Sequence, residues 1–341
     1  MSRAGTQTFL YDRPPVVAAH ASVVGPREGQ GPLATWFDEV LEDDLLGQKS
    51  WELAESEMAQ RCVRRAIAAA RLRDDEVQAL LGGDLNNQII ASSFAARTLG
   101  MPFIGLYGAC ATFAQALVLG GALVSGGFLD NAVCCASSHF CTAERQFRFP
   151  LELGTQRPPQ ASWTATACGC AVLRPQGSPG ALRLTAGTVG KVIDLEITDA
   201  NHMGAAMAPA VFDCLAAHLS DTGRPASNFD LIATGDLGWI GRNLLIEQCR
   251  GAELDVEASR LVDCGASLYS REQDPHAGGS GCGCVASVSC GWLMKRLEQG
   301  EWNRILVIGS GAMLSPTSSQ QGQSVPGTAF AACLERTEEG A

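Results

Sequence analysis

The chain repeats itself. Gly83-Asp84-Leu85 recurs as Gly235-Asp236-Leu237, each after a short apolar run and before a stretch with helical spacing. Asn131-Ala132-Val133-Cys134-Cys135 is matched 172 positions later by Asn303-Arg304-Ile305-Leu306-Val307. The same offset carries Cys110 onto Cys282, and residues 165–173 are echoed by 328–334. Four correspondences in one order point to an internal duplication. Strands alternate with helices and are apolar on both faces, which implies parallel or mixed sheets covered by helices. The expected class is therefore α/β, with halves at 1–175 and 176–341. The turn-rich segment Arg174-Pro175-Gln176-Gly177-Ser178-Pro179-Gly180 serves as the hinge. A chain of 341 residues, 46% hydrophobic, is large enough for two such units.

Local signals place the elements. Residues 16–24 read as a first strand, and Ser50 is placed to cap a helix running through Trp51, Ala54, Met58, Cys62, Ala66 and Ala69. Residues 77–81 form a short apolar element, and 131–136 a central strand. Residues 139–163 form a polar, aromatic and arginine-bearing insertion before another strand. No formal charge lies between Arg97 and Asp130, a length that can span a bilayer. Pro102, Gly105, Gly108 and the pairs Gly120-Gly121 and Gly126-Gly127 interrupt it, so a strand, a turn and a buried helix are expected, and no transmembrane helix. The N-terminus shows no apolar stretch of signal-peptide type. The net charge of −11, without a basic run, argues against nucleic acid as a partner.

Fourteen cysteines lie on apolar segments and read as buried free thiols of a reducing compartment. Cys168/Cys170 and Cys282/Cys284 lack the paired spacing of metal ligands, and no metal or cofactor is expected. Cys110 differs from the rest. It sits where an apolar strand turns into an apolar helix, a place where unpaired N–H groups favour a thiolate. His139 lies just past the central strand, either at a functional carboxyl end or as a satisfied structural histidine. Arg145, Arg148 and Arg157 carry planar forks suited to carboxylates, with ion pairing to Glu144 and Glu152 as the alternative. Asp84 and Asp236 are read as turn formers.

A duplicated α/β half whose third helix begins at a cysteine is similar to the thiolase fold, and Gly108-Ala109-Cys110-Ala111 resembles the nucleophile turn of β-ketoacyl synthase III. Over nearly its whole length the chain resembles the stage V sporulation protein AD family of endospore-forming bacteria. The residues that carry this are the segments 24–33, 43–52, 137–148, 201–210 and 234–238, among them Val24-Gly25-Pro26-Arg27-Glu28-Gly29-Gln30-Gly31-Pro32-Leu33 and Asn201-His202-Met203-Gly204-Ala205. The resemblance implies a layered αβαβα architecture with two mixed sheets and a homodimer. It also implies a peripheral protein on the cytoplasmic side or at the spore inner membrane. Such a protein binds dipicolinic acid and works with membrane-embedded partner proteins to move it into the developing spore. Cys110, His139, Arg145, Arg148 and Arg157 are the expected ligand-binding set.

Synthases of the β-ketoacyl type pair their cysteine with a histidine and an asparagine from the second half. The matching places here read Gly235-Asp236-Leu237-Gly238 and Cys282. The thiolase alternative, His276 with Cys282-Gly283, is too closely spaced for two separate loops. The expectation is a thiolase-like fold with a degenerate nucleophile position at Cys110; the alternative is an acyltransferase or condensing enzyme that uses it.

Overall fold

The computed structural model describes residues 2–147, 157–178 and 181–337. The first half contributes strands β1 (Val16–Val24), β2 (Ala79–Gly83), β3 (Phe103–Gly105), β4 (Ala132–Ser138) and β5 (Ala167–Arg174). The second contributes β6 (Leu182–Val189), β7 (Leu231–Thr234), β8 (Leu261–Asp263), β9 (Arg304–Ala312) and β10 (Gly327–Arg336). Their spatial orders are β3-β2-β4-β5-β1 and β8-β7-β9-β10-β6, the same path twice. In each half the first three strands of that path are parallel, and the fourth runs antiparallel to both its neighbours. The two mixed sheets meet at one corner, where Leu182 and Arg183 pair with Val17 and Val16. The repeated motifs thus mark equivalent strands of two copies of one mixed sheet.

Helices complete the layers. α1 (Trp51–Ala69) and α2 (Ile90–Leu99) cover the outer face of the first sheet, and α5 (Met203–Thr222), with α6 (Gly238–Gly251) packed on it, covers the second. α4 (Phe140–Phe147) opens the insertion. Between the sheets lie α3 (Thr112–Ser125), which touches strands of both, and α7 (Cys282–Val288), which packs on β4 and β5. α3 is apolar all round because both of its sides meet a sheet; Phe113, Leu117, Val118 and Val124 are all buried. The helical part of the uncharged segment therefore lies in the molecular interior.

Ser50 caps α1 as expected, its side chain accepting from Leu53 N at 3.3 Å. All fourteen cysteines carry free thiols, thirteen of them buried. α5 is, by length and composition, long and apolar enough to cross a membrane. It is folded here against β9 and β10, with Met207, Val211, Cys214 and Leu215 fully buried.

Candidate functional site around Cys110 and the Trp163 ribbon

The turn before α3 is held from both halves. Ala109 is left-handed, with φ at +49°, which is costly for a residue with a Cβ. Thr112 stabilises it: its Oγ1 donates to Ala109 O at 2.7 Å and accepts from Gly108 N at 3.1 Å. Gly311 of β9 presses against this turn so closely that a Cβ there would lie 2.3 Å from Gly108 O. A second-half strand therefore sets the position of a first-half cysteine. Cys110 is 5% exposed.

Its surroundings are acidic. Cys110 Sγ lies 3.9 Å from Ser280 Oγ, which donates to Asp236 Oδ2 at 3.0 Å. Gly281 N also donates to Oδ2, at 2.8 Å, and Ser310 Oγ donates to Oδ1 at 2.9 Å. Asp236 is fully buried. This corrects the reading of Asp236 as a turn former. The local turn is instead held by Asp263, which accepts from Leu237 N at 2.9 Å and Gly238 N at 3.0 Å. Asp84, its counterpart in the repeat, does cap its own turn, accepting from Asn86 N at 2.8 Å and Ser92 N at 2.7 Å.

Burial pushes the Cys110 thiol well above its ordinary value, and the Asp236 carboxylate pushes it the same way. The thiol therefore stays protonated near neutral pH, and whatever the helix terminus offers a thiolate is outweighed.

The five histidines are engaged elsewhere. His20 pairs with Glu298 at 3.2 Å, and His202 accepts from Ala205 N at the start of α5. His218 meets Thr188 Oγ1 at 2.7 Å, and His276 meets Pro158 O at 2.9 Å. His139 accepts from Cys141 N at Nδ1 (3.1 Å), which leaves Nε2 to donate to Asp44 O (2.9 Å), with its ring against Trp51. Cys282 Sγ donates to Ser137 O at 2.9 Å. No imidazole contacts Cys110, and among the described residues no group of three or more His, Cys, Asp or Glu side chains is arranged to hold a metal ion.

The expected ligand residues separate. His139 has both ring nitrogens engaged and its pKa is lowered by burial, which matches the satisfied structural histidine of the two readings. Arg145 is engaged by Glu52 of α1, a partner the sequence reading did not name. Arg148 lies outside the described residues. Arg157 lies over Trp163, its guanidinium 4.4 Å from the ring centroid, and donates to Ser162 O and Asp274 O. Arg27, which sequence reasoning did not single out, lies 3.7 Å from the same ring. Arg27 stands in the polar loop just past the carboxyl end of β1, but its ring partner Trp163 is far along the chain.

Trp163-Thr164 pairs in parallel with Gly279-Ser280 as a short ribbon. The ribbon ends at Cys110 through Ser280 and at the two arginines through Trp163. Beside it opens a cleft of about 610 Å³ lined by Arg157, Pro158, Pro159, Asp274 and His276. A second cleft, about 440 Å³, is lined by Tyr107, Leu106, Gln88, Gln146 and Met313 among others, with no basic side chain among the described residues.

Comparison with known proteins follows the same lines. Residues 5–335 match the family model for stage V sporulation protein AD. Stage V sporulation protein AD of Bacillus subtilis (strain 168) is 40% identical over 336 residues, covering 98% of each chain. Among solved structures, human mitochondrial 3-ketoacyl-CoA thiolase in complex with CoA superposes with a TM-score of 0.62 at 11% identity, covering 97% of this chain and 100% of that one. The 3-oxoacyl-(acyl carrier protein) synthase III of Pseudomonas aeruginosa PAO1 gives 0.55 at 17% identity, covering 96% and 99%. OleA of Xanthomonas campestris gives 0.62 at 14% identity, covering 96% and 99%. Identities this low show a common fold, thiolase-like, and nothing about activity.

Proposed function

The chain belongs to the stage V sporulation protein AD family, and from that premise we propose that it is a binding protein for dipicolinic acid whose thiolase-like fold no longer performs acyl transfer. The observation that carries this reading is the Cys110 environment: a protonated thiol backed by Ser280 and the buried Asp236 carboxylate, with no imidazole in contact. A condensing enzyme needs preorganised donors at the developing oxyanion, and one such donor is worth about 3–4 kcal/mol. Here the group behind the thiol carries the opposite charge to the one required.

The cleft beside the Trp163 ribbon suits the ligand class. Dipicolinate is a flat aromatic dianion, and arginine forks pair bidentately with carboxylates. Arg27 and Arg157 share one aromatic ring next to a cleft of about 610 Å³, within the usual range for small-molecule sites. Cys110 lies at the far end of the ribbon and serves as buried support. The protein acts with membrane-embedded partners in dipicolinate uptake into the spore, at the membrane periphery. It pairs with a second copy along β3, an edge strand with Ile104 exposed and Tyr107 exposed just beyond its end.

Titration calorimetry tests the reading. Dipicolinate is expected to bind, benzoate to bind more weakly, and Arg157→Gln or Arg27→Gln to weaken dipicolinate binding by about 10- to 100-fold, the loss of one charge-assisted pair. Absence of heat at millimolar dipicolinate would sink it. Light scattering on the same sample checks the dimer.

A further inference from the structure

The loop that carries Arg27 is tied to the second half by a single buried carboxyl. Glu28 is 1% exposed. Its Oε1 accepts from Thr166 N at 3.1 Å and from the Tyr269 hydroxyl. Thr166 belongs to the first half and Tyr269 to the second, so one side chain spans the junction. On either side of it Arg27 donates to Gln273 O, and Gln273 Nε2 donates back to Arg27 O at 2.8 Å. Asp274 and His276, which line the cleft, follow directly.

The other oxygen is unaccounted for. Glu28 Oε2 is buried without a hydrogen-bond partner, and so is Asp44 Oδ1. Both converge on the bare face of Gly25: a Cβ built there would lie 2.7 Å from Glu28 Oε2 and 2.9 Å from Asp44 Oδ1. Two unpartnered carboxylate oxygens in one buried place are costly as a pair of charges and cheap with one proton between them. A protonated Oε2 is a donor and Asp44 Oδ1 an acceptor, so a single proton satisfies both.

We propose that Glu28 is a positioning residue for Arg27, which shares the Trp163 ring with Arg157 beside the cleft, and that it is latched by a proton shared with Asp44 across Gly25. Other groups facing this pair are the Tyr269 hydroxyl, the Arg27 guanidinium, Asp43 beside Asp44, and His139, whose Nε2 meets Asp44 O. Burial pushes Glu28 up to about 7, with Asp44 adding in the same direction, and burial raises Asp44 as well. His139 opposes the rise of Asp44, and Asp43 adds to it. A carboxyl whose folded value is raised contributes its full stability below its unfolded value and loses it as pH rises through the folded one. The latch is therefore firm in acid and releases through about pH 7, when two facing carboxylates part the 25–31 loop from the Asp44 segment, while the Tyr269 hydroxyl still donates to the ionised Glu28.

The consequence for ligand rests on the binding reading above; the latch itself does not. Hydrogen exchange on the full-length protein, corrected for intrinsic rates, reads it without ligand. Peptides covering 25–31 and 41–47 are expected to lose protection by about tenfold or more between pH 6 and pH 8.5 in the wild type. Glu28→Gln presents an amide donor to Asp44 at every pH and should hold protection constant, and Asp44→Asn should do the same. Equal protection of the wild type at both pH values, or a pH dependence that survives in Glu28→Gln, would overturn the latch. Dipicolinate affinity measured over the same range separates the two claims: no binding at any pH removes the ligand reading and leaves the exchange result to decide the latch.

Discussion

Gly169→Ala is expected to destabilise the protein by about 3 kcal/mol or more, at the upper end of overpacking costs. Gly169 sits in β5 against the backbone of α7, and its added Cβ would lie 2.2 Å from Ala286 C and O and 2.7 Å from Ser287 N. The approach is reciprocal, since a Cβ on Gly283 of α7 would lie 2.1 Å from Ala167 O. Backbone meets backbone on both sides, so no flexible side chain can rotate away. The central helix must lift from the first sheet or β5 must leave its ladder. Against a total stability of about 5–15 kcal/mol, that is a large fraction. Urea denaturation of the two proteins measures it, and a loss below about 0.5 kcal/mol would show that α7 does not sit this close.

Incubated with an acyl-CoA at pH 7, the protein is expected to remain unmodified at Cys110, and Asp236→Asn is expected to raise the alkylation rate of that thiol by iodoacetamide at pH 8 about tenfold. The second figure follows from removing one adjacent negative charge, about one pKa unit of thiol acidity, or about 1.4 kcal/mol. The asparagine keeps the shape of the aspartate, and the Ser280 and Ser310 hydroxyls can rotate to suit its amide. Intact-mass spectrometry reads the acylation, and peptide mass spectrometry the alkylation. An acyl adduct on the wild type that disappears in Cys110→Ser would restore the acyltransferase reading, for which the retained left-handed turn at Ala109 is the structural argument. Unchanged alkylation in Asp236→Asn would show that burial alone suppresses the thiol.

How much of this was legible depends on how local the cause is. The 172-residue offset found the equivalent strands because each copy must bury the same apolar faces, and β4 and β9 occupy equivalent places in the two sheet orders. Ser50 was readable because a cap acts on the amide three residues ahead. The strand-turn-helix around Cys110 was readable for the same reason. Asp236 was misread, and the ion-pair partner of Arg145 went unnamed, because Ser280 and Glu52 are distant from them in the chain. His139 was left between two readings, and the Asp44 backbone and the Cys141 amide decided it. Arg27 went unnoticed because nothing within its loop announces that Trp163, far along the chain, supplies a ring face.

Sequence by itself determined that the chain folds as two copies of one mixed α/β unit, that Cys110 stands at a helix-initiating turn, and that the places matched to a condensing enzyme's histidine and asparagine read Gly235-Asp236-Leu237-Gly238 and Cys282. Periodicity and turn chemistry act over a few residues, and a repeated pattern needs no coordinates to be seen. Only the tertiary structure decided the charge state of that cysteine and the cleft beside it. Cys110 and Asp236 lie in different halves of the chain, as do Arg157 and His276, and Glu28 and Tyr269. Which groups meet across that junction, and how deeply they are buried when they do, follows from the docking of two sheets and has no signature in either half alone.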